Sequence, residues 1–183
     1  KPLIDFGILP RDWPISINGV SGYSGGGKQL ISAFENDENG ELHDTNFFNY
    51  GLLLDHKHVP EITYWSGLKN KPIFSPSVGR FRQGMIVQVP IFCWALPGQP
   101  SSEFIQNIYE EFYINCDFVR IEPRFESSKL LRLNPEGLND TNELRIYIFN
   151  NDKTGQVLIV SVLDNLGKGA SGQALQNLYT MVR

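Results

Sequence analysis

Apolar residues recur at two different spacings along this chain of 183 residues, and the spacings predict helices and strands. A spacing of three or four positions, typical of a helix with one buried face, is clearest at residues 102–115. A run rich in β-branched and aromatic residues, typical of a strand, is strongest at residues 83–95. The predicted helices are residues 2–9, 28–35, 59–67 and 102–115, and the predicted strands are residues 15–20, 83–95, 118–121, 144–149 and 157–163.

Three prolines set limits on these elements. Pro10 ends the first helix because its ring cannot continue a helix. Pro60 occupies the first turn of a helix, where proline is tolerated. Pro90 falls inside the strongest predicted strand and therefore marks a bulge or an edge position there.

Loops complete the predicted fold class. A polar loop at residues 36–44 carries a turn signal at Asn39–Gly40, and a turn at residues 151–155 joins the last two strands as a hairpin. The chain has no internal repeat and no evident linker. The pattern therefore predicts one domain over residues 1–183, of the α+β class, with a mixed and largely antiparallel sheet.

The charge pattern argues against two classes of partner. The chain has 16 Lys and Arg against 20 Asp and Glu, which gives a net charge of −4. Its densest basic cluster is sparse and consists of Lys69, Lys71, Arg80 and Arg82. The sequence therefore predicts no surface for nucleic acid or for an anionic membrane. The longest apolar run, at residues 85–96, is also too short to span a bilayer.

Cysteine usage indicates a reducing compartment. The two cysteines are Cys93 and Cys116, and neither belongs to a CxxC or Cys/His spacing. This argues against a disulfide scaffold and against structural zinc. The first residues lack the basic and apolar segments of a secretory signal, so we expect a cytoplasmic protein.

A glycine-rich segment, SGYSGGG at residues 21–27, lies between a predicted strand and a predicted helix. Glycines at such a position let a backbone approach a phosphate at a helix N-terminus. A dinucleotide fingerprint also needs a following βαβ unit and an acidic residue about 20 positions on, and no such unit follows here. Gln29 after Lys28 argues against a P-loop, which needs Ser or Thr at that position to bind magnesium. The segment is either a tight turn or a loop whose free N–H groups face a ligand.

The three histidines are the next candidates for chemistry. His43 lies in the polar loop and is expected at the surface. His56 and His58, in the string DHKHVPEI, share one side of an extended segment, but no third residue completes a metal site. They form either a hydrogen-bonded structural pair or an acid/base site. In the second interpretation Glu61, three positions after His58, orients the imidazole.

The string DNLGKGASGQALQN at residues 164–177 combines very small residues with helical spacing. Gly167 and Gly169 give a turn that another backbone, or a flat cofactor ring, can approach closely. Leu175 and Leu178 then follow at helical spacing. The segment is either a tight turn into a docking helix or part of a cofactor site.

Four segments together resemble the N-acetyl-gamma-glutamyl-phosphate reductase family. They are SGYSGGG, HKHVPEI, FRQGMIVQVP and GKGASGQALQN, and the resemblance covers essentially the whole chain. It implies a catalytic and dimerisation domain with the architecture of the C-terminal domain of glyceraldehyde-3-phosphate dehydrogenase. Helices would then cover one face of a mixed sheet, and the other face would be available to a partner subunit in a homodimer or higher homo-oligomer.

The resemblance also implies an activity and a site. The family reduces N-acetyl-glutamyl phosphate to the semialdehyde with NADPH in arginine biosynthesis, through a cysteine thioester. His58 corresponds to the general acid/base, supported by Glu61, with His56 as the weaker alternative. The implied substrate- and cofactor-binding residues are Ser21, Gly22, Gly25, Gly26, Gly27, Asn165, Gly167 and Gly169. No metal is implied.

The nucleophile of the family is missing from this sequence. Family members carry it in an Asn-Pro-Gly-Cys type motif at the start of the helix whose end resembles residues 1–9, so we expect the chain to begin just downstream of it. Cys93 is expected mid-strand as a buried, inert thiol, and Cys116 has no histidine nearby in sequence. NADP would be bound mainly by an absent N-terminal domain, on which a final helix at residues 169–183 would pack.

Two other functions fit the residues. A non-catalytic dimerisation or ligand-binding module fits a chain without the nucleophile, and a metal-dependent hydrolase built on the histidine pair predicts bound metal in the purified protein. The groups that hold the carboxylate and phosphate of the substrate are not singled out by any motif. Candidates by charge and position are Lys28, Arg80, Arg82 and Gln83.

Overall fold

The computed structural model describes residues 1–36, 40 and 42–182 and shows a seven-stranded sheet with helices packed on it. The strands are β1 (Ser16–Gly22), β2 (Phe47–Asn49), β3 (Ile73–Gly79), β4 (Met85–Phe92), β5 (Val119–Ile121), β6 (Leu144–Asn151) and β7 (Gln156–Leu163). The α-helices are α1 (Pro2–Asp5), α2 (Gly27–Glu35), α3 (His58–Ser66), α4 (Ser102–Tyr113), α5 (Arg124–Ser127) and α6 (Gly172–Met181). Two 3-10 turns, Tyr23–Gly26 and Cys93–Ala95, and a π-helix, Gly167–Ser171, complete the elements.

The strand order is β2-β3-β1-β4-β7-β6-β5. Within the described residues, four of the six neighbouring pairs are antiparallel, and β1–β3 and β5–β6 are parallel. The predicted hairpin is β6–β7, in which Ile148 lies opposite Ile159. The predicted fold class, α+β with a mixed and largely antiparallel sheet, is therefore confirmed.

The main core lies between α4 and the centre of the sheet. Ile105 and Ile108 of α4 are 0% and 3% exposed. They belong to one apolar cluster with Ile91, Ile148 and Ile159 of β4, β6 and β7. Each fully buried aliphatic side chain contributes about 1.5–3 kcal/mol relative to an exposed one. The amphipathic pattern that predicted this helix is therefore also what holds it on the sheet.

Helices α2 and α4 lie on the same face of the sheet. Side chains alternate between faces along a strand, and the register places Gly19 of β1 on the face of β4 that carries Ile91. The Phe74 ring of β3 is on this face, because an ideal Cβ at Gly19 would lie 3.4 Å from it. Phe34 of α2 reaches the same face, with its ring 6.4 Å from that of Phe48 of β2.

The opposite face of the sheet carries an apolar surface. Tyr147 and Phe149 of β6 stack on each other there, with ring centroids 5.9 Å apart and an interplanar angle of 3°. Pro90 and Leu158 are cross-strand partners on β4 and β7 and line a groove of about 330 Å³ together with Phe149. These four residues form an apolar surface that we call the sheet-face patch.

The first helix is shorter than predicted. α1 ends at Asp5, and Gly7 adopts φ 71°, the left-handed conformation that commonly follows a helix. The N–H groups of Ile8 and Leu9 both return to the carbonyl of Leu3. The predicted second half of the helix was therefore wrong, because the chain turns back at Gly7 and buries Leu9 from a turn.

The strongest predicted strand is trimmed at both ends. Gly84 has φ 107° and precedes β4, and Cys93 lies in a 3-10 turn after it. The prediction of a mid-strand Cys93 was therefore wrong. The carbonyl of Gly84 accepts the N–H of Gly22 on β1. Backbone groups alternate in direction along a strand, so every second residue after Gly84, including Gln88 and Pro90, directs its N–H and C=O toward β1. Gln88 is the last residue of β4 paired with β1, so the missing N–H of Pro90 lies beyond that ladder and does not interrupt it.

β2, β3 and α5 were not predicted from the sequence. Pro76 in the middle of β3 argues against a strand, since proline cannot donate to a sheet ladder. Its carbonyl accepts the N–H of Tyr50, just past Asn49, the last residue of β2. The missing N–H of Pro76 therefore lies beyond the end of the β2 ladder, and β3 tolerates it.

The remaining helix predictions are confirmed to within two residues as α2, α3 and α4. Gly67 ends α3 in the left-handed region, with φ 85°. The predicted turn at Asn39–Gly40 includes a position outside the described residues. None of the helices in the described ranges is long and apolar enough to cross a membrane.

Candidate active site

A row of ring contacts joins the glycine loop, residues 21–27, to the histidine pair. The centroid distances are 4.8 Å for Tyr23–Phe34, 6.4 Å for Phe34–Phe48, 6.3 Å for Phe48–Tyr50, 5.4 Å for Tyr50–His56 and 4.8 Å for His56–His58. Aromatic pairs at such distances contribute about 0.5–1.5 kcal/mol each beyond burial. The fold therefore joins two segments that the sequence pointed to separately, through a set of ring contacts that we call the aromatic row.

The glycine loop is attached to a neighbouring turn by its own backbone. The N–H groups of Gly22, Tyr23 and Ser24 donate to the carbonyls of Gly84, Phe81 and Arg82 at 2.9, 3.0 and 3.0 Å. A Cβ at Gly22 would lie 2.6 Å from the Arg82 carbonyl oxygen, so this close approach requires glycine. The expectation of free N–H groups therefore does not hold for the first part of the loop, whose N–H groups bind protein.

The tip of the loop is open. Gly25, Gly26 and Gly27 are exposed, and a Cβ at Gly27 would meet no atom within 4 Å. Gly27 has φ 72° and begins the nine-residue helix α2. At the Gly27 junction a backbone N–H donates to the Ser24 carbonyl, and the N–H groups further along the first turn of α2 lack partners within the helix and carry partial positive charge. The tip therefore suits the oxygens of a phosphate or a carboxylate.

Asn165 lies beneath the glycine loop and is only 9% exposed. Its Nδ2 lies 3.1 Å from Ser24 Oγ, 3.2 Å from Ser21 Oγ and 3.4 Å from the Gly22 carbonyl oxygen. Its Oδ1 accepts the N–H of Gly84 at 2.9 Å. The amide thus connects the loop to the turn that the loop already contacts.

Asp164 is 1% exposed and is held by N–H donors. Its Oδ2 accepts from Gln83 Nε2 at 2.7 Å and from the Asp140 N–H at 2.9 Å, and its Oδ1 accepts from the Leu166 N–H at 2.8 Å. Burial raises the pKa of the Asp164 carboxyl, but these donors and the Gly167 N–H outweigh it and hold the pKa below its ordinary value. The carboxylate is therefore ionised near neutral pH.

The small-residue turn predicted near the C-terminus is a π-helix, Gly167–Ser171. A Cβ at Gly167 would lie 2.6 Å from the Thr141 carbonyl oxygen, and one at Gly172 would lie 2.5 Å from Asn142 Oδ1. Gly169 is exposed, and a Cβ there would make a tight contact of 3.3 Å with the Asp164 carbonyl oxygen. Packing against the preceding segment therefore accounts for two of these glycines, and Gly169 stays open to a ligand.

Helix α6 is fixed to the rest of the fold by polar contacts. Gln176 Oε1 accepts from Asn142 Nδ2 at 3.1 Å and from Lys168 Nζ at 2.7 Å. None of the residues of α6 is buried, and Leu175 and Leu178 are both 57% exposed. The helix therefore presents its apolar side away from the described part of the chain.

The two histidines differ in environment. His56 is half-buried, and its Nδ1 accepts the backbone N–H of His58 at 3.2 Å. Burial lowers the pKa of His56, and the charges of His58 and Lys57 lower it further. His56 is therefore neutral near pH 7, with its proton on Nε2. His58 is exposed, and its ring makes no hydrogen bond within the described residues. The ring is therefore accessible to a ligand.

Glu61 lies exposed on the first turn of α3. No hydrogen bond or ion pair joins it to either histidine in the part of the chain that the structure describes. Catalytic hydrogen bonds often tighten only when substrate is bound, so its orienting role stays a prediction. The described residues also contain no group of three or more His, Cys, Asp or Glu side chains that could hold a metal ion.

Neither cysteine lies in the region of the aromatic row. Cys93 is 5% exposed, belongs to the α4 core, and has a thiol pKa raised by burial and by the charge of Asp152. Cys116 is exposed beyond the end of α4 and close to Lys168. Neither thiol contacts a histidine among the described residues. The chain therefore presents no cysteine–histidine pair.

Most of the basic and amide candidates for substrate binding are engaged within the protein. Arg80 donates to the backbone carbonyls of residues 42, 43 and 45 and lies over the Phe34 ring. Arg82 pairs with Glu35 at 3.5 Å, and Gln83 donates to Asp164. Lys28 is exposed near the start of α2. Of the four candidates, Lys28 is the one that extends beside the open tip of the loop.

Sequence reasoning did not single out Asp164 or Gly84. Asp164 connects its own turn to the segments of Gln83 and Asp140, and Gly84 accepts the N–H of Gly22 and donates to Asn165. One signal was present: an Asp-Asn pair stands directly before the glycine turn, and a Gln-Gly pair directly before a strand. Without the fold, nothing in the sequence connects these two pairs.

The fold defines the class of protein. Over its whole length the chain is similar to aspartate semialdehyde dehydrogenase II from Vibrio cholerae, with a TM-score of 0.68, 14% identity and 58% of that chain covered. It is also similar to the aspartate semialdehyde dehydrogenase from Francisella tularensis, with a TM-score of 0.66, 11% identity and 60% of that chain covered. The fold is that of the C-terminal domain of semialdehyde dehydrogenases, which shares the architecture of glyceraldehyde-3-phosphate dehydrogenase. The predicted architecture is confirmed.

The sequence identifies the family more narrowly. The model of the semialdehyde dehydrogenase dimerisation domain family matches residues 1–165, and the chain belongs to this family. Proteins named N-acetyl-gamma-glutamyl-phosphate reductase from Brucella ovis and Brucella anthropi are 49% and 48% identical over 182 residues. That alignment covers 100% of this chain but only 59% and 58% of those relatives. The predicted resemblance to the reductases is confirmed, and the chain spans less than two thirds of their length.

Proposed function

We propose that this chain is the substrate-binding and dimerisation part of an N-acetyl-gamma-glutamyl-phosphate reductase. The observation that carries the proposal is the aromatic row, which runs from Tyr23 in the glycine loop to His58. The row connects a proton-transfer group to a helix start that suits an anion, the two functions that an acyl phosphate substrate requires. The 49% identity to a protein with this name supports the assignment.

His58 is the general acid/base in this proposal. Its exposed ring can accept the proton of a nucleophilic thiol supplied from outside this sequence and can later return a proton to the product. His56 supports it from behind, because its Nδ1 accepts the N–H of His58 and its own pKa is lowered. A positioned acid/base contributes about 10²–10⁴-fold in rate.

The glycine loop receives the anionic end of the substrate. Ser21 and the exposed Gly25–Gly27 tip border this end, and Lys28 adds positive charge beside it. Glu61 is proposed to orient His58 once the substrate is bound. Gly167 and Gly169 border the cofactor from the other side of Asn165.

The residues present fit one end of an NADP molecule. The exposed backbone at Gly169 leaves room for a flat ring to approach. When bound, NADPH supplies the hydride that reduces the acyl group to an aldehyde. No dinucleotide fingerprint occurs in the chain, so most of the contacts to the cofactor belong to another part of the protein.

Two surfaces of the chain are proposed as contacts with other parts of the assembly. The sheet-face patch, with its stacked Tyr147 and Phe149, packs against a second copy to form a homodimer. The exposed leucines of α6, Leu175 and Leu178, pack on the nucleotide-binding part of the protein. We propose the cytoplasm as the compartment.

The test uses a longer protein of the same length as the relatives, in which this chain is joined to the part that they have in addition to it. We expect NADPH-dependent reduction of N-acetyl-glutamyl phosphate by the native form. The variant His58→Asn should lose about 10²–10⁴-fold in kcat. The matched control His43→Asn, whose side chain makes no hydrogen bond in the described residues, should keep native turnover.

The chain alone should show no turnover. Reductase activity in the 183-residue chain by itself would contradict the role given to an external nucleophile. Full activity of His58→Asn in the longer protein would remove His58 from the mechanism. A longer protein that dimerises but neither binds nor reduces the substrate would favour the non-catalytic dimerisation module instead.

A further inference from the structure

Both ends of the side-chain amide of Asn165 form hydrogen bonds inside the protein. Its Nδ2 faces three acceptors on the glycine loop at 3.1–3.4 Å, and its Oδ1 accepts the N–H of Gly84 at 2.9 Å. An amide nitrogen has two protons to donate, so neither is left for a ligand. At 9% exposure, Asn165 also presents little surface to one.

The glycine loop is shaped around this amide. Ser24 is 4% exposed, and its Oγ lies beneath the loop at 3.1 Å from Asn165 Nδ2. A Cβ at Gly25 would lie 3.0 Å from Ser21 Oγ and 3.3 Å from Asn165 Nδ2. The backbone therefore passes so close over Asn165 that a Cβ at this position would displace the Ser21 or Asn165 side chain, and a shift of the amide is transmitted to the loop.

Asp164 fixes the position of Asn165 from the other side. Its carboxylate accepts from Gln83, Asp140 and Leu166, which belong to three different segments. Gln83 directly precedes Gly84, the residue that binds both Asn165 and the loop. Among the described residues no Lys or Arg pairs with Asp164, so these N–H donors alone hold the charge in place.

We propose that Asp164 and Asn165 are a positioning pair that sets the glycine loop for catalysis. Asn165 acts on the reaction through the loop and not by touching substrate or cofactor. This inference rests on the proposed function, which it deepens by separating the residues that hold the loop from those that contact the ligand. Ser24 belongs with the pair, because it is buried and bonds to Asn165.

The first experiment measures amide hydrogen exchange in the 183-residue chain itself. In Asn165→Ala and Asp164→Asn, the backbone amides of Tyr23 and Ser24 should exchange about tenfold faster. Each variant removes hydrogen bonds that hold the glycine loop, so the loop opens more often. The amide of Ile108 in α4 should be unchanged. The control Asn70→Ala removes a comparable amide bond, from Nδ2 to the Asp12 carbonyl, at a remote site and should leave the loop at its native exchange rate.

The second experiment measures steady-state kinetics in the longer reductase. A small misplacement of a substrate-positioning group costs about 10²-fold, so Asn165→Ala should lower kcat by about that factor with KM for NADPH within about twofold. Ser24→Ala is the milder variant, kept for the case that Asn165→Ala fails to fold, and it should lower kcat in the same way. The double variant Asn165→Ala/Ser24→Ala should have the same kcat as Asn165→Ala alone, because both substitutions release the same loop.

Three results would overturn the proposal. A tenfold rise in KM for NADPH with native exchange at Tyr23 would make Asn165 a direct ligand. Additive losses of kcat in the double variant Asn165→Ala/Ser24→Ala would mean that the two residues act independently and not through one loop. Native exchange and native kcat in Asn165→Ala would leave the pair without a role. If the native longer protein shows no turnover at all, the proposed function fails, and the exchange result still decides whether the pair holds the loop.

Discussion

The two halves of the sheet are built in different ways. Around α4, strands β4, β7 and β6 bury aliphatic side chains such as Ile105 and Ile148, which are 0% and 1% exposed. Backbone ladders join β2, β3 and β1, and the glycine loop beside them is held by ring contacts, close backbone approaches and hydrogen bonds that Asp164 and Asn165 accept. The first half is held by aliphatic burial, and the second combines buried side chains such as Phe74 and Val78 with the geometry of a few small and polar residues.

This difference explains why the candidate site lies where it does. Apolar burial tolerates changes of shape at modest cost, whereas a buried polar group must keep its partners. A site that must place a loop within a few tenths of an ångström therefore benefits from directional bonds. The α4 half then serves as the rigid support on which the other half is aligned.

The largest expected effect is a loss of packing in the α4 half. Ile105→Ala removes a side chain that is 0% exposed, and such changes cost about 2–5 kcal/mol. Urea unfolding of the chain measures the loss. Leu131→Ala, at a position that is 96% exposed, is the control and should change stability by less than about 0.5 kcal/mol. Equal losses in the two variants would contradict the assignment of the core.

The next effect tests close approach in the site half. Gly22→Ala places a Cβ 2.6 Å from the Arg82 carbonyl oxygen, and overpacking of this kind costs about 1–3 kcal/mol. Gly137→Ala, where the nearest atom would be 3.3 Å away, is the matched control. The same unfolding measurement applies. A neutral Gly22→Ala would mean that the loop is not pressed against the 82–84 turn.

A pH-dependent effect is expected from Asp164. Its pKa is below the ordinary value in the folded chain, so the folded state favours the carboxylate. The resulting stability is present above the unfolded value near pH 4 and is lost as pH falls through the folded pKa. Asp164→Asn should therefore cost about 1–3 kcal/mol at pH 7 and progressively less in acid.

Unfolding free energies of the native chain and Asp164→Asn, measured from pH 7 to pH 3, check this prediction. Asp117→Asn, which removes an exposed carboxylate, serves as the control. A gap between native and Asp164→Asn that does not narrow in acid would indicate that the N–H donors do not depend on the charge of Asp164.

The smallest effect belongs to the surface of the site half. Glu35 pairs with Arg82 at 3.5 Å and accepts from the Tyr23 hydroxyl at 2.9 Å, and both charged side chains are exposed. Exposed pairs contribute about 0.2–1 kcal/mol, so Glu35→Gln should destabilise by no more than that. Glu111→Gln on the exposed side of α4 is the control. A larger loss of unfolding free energy in Glu35→Gln would mean that surface contacts contribute more to the stability of the site half than its buried hydrogen bonds do.

The α4 half was largely predictable from the sequence. The apolar spacing of α4 and the hairpin β6–β7 follow from periodicity, because each element buries one face along its whole length. The end of the first helix was missed, since Gly7 turns the chain before the apolar spacing stops. Strand β3 was missed because Pro76 argues against a strand. The proline is tolerated because β2 is short and its ladder ends at Ser77, before Pro76 would have to donate an N–H.

The site half was predictable as a set of residue types but not as an arrangement. The glycine loop and the histidine pair were found from composition and from the resemblance to the reductases. Their connection through Phe34, Phe48 and Tyr50 was not, because these rings follow no regular spacing. Gln83 was considered as a substrate ligand, whereas in the fold its side chain holds Asp164.

The sequence by itself determined the fold class, the family and the residues with chemical potential, because periodicity, glycine content and motif strings are local properties of a chain. The tertiary structure decided which of these residues face a ligand and which face each other. The bond between Asn165 and Ser24 spans 141 positions, and hydrogen bonds over such separations are set by how strands are ordered in the sheet. That order depends on the packing of the whole chain and cannot be inferred from any one segment.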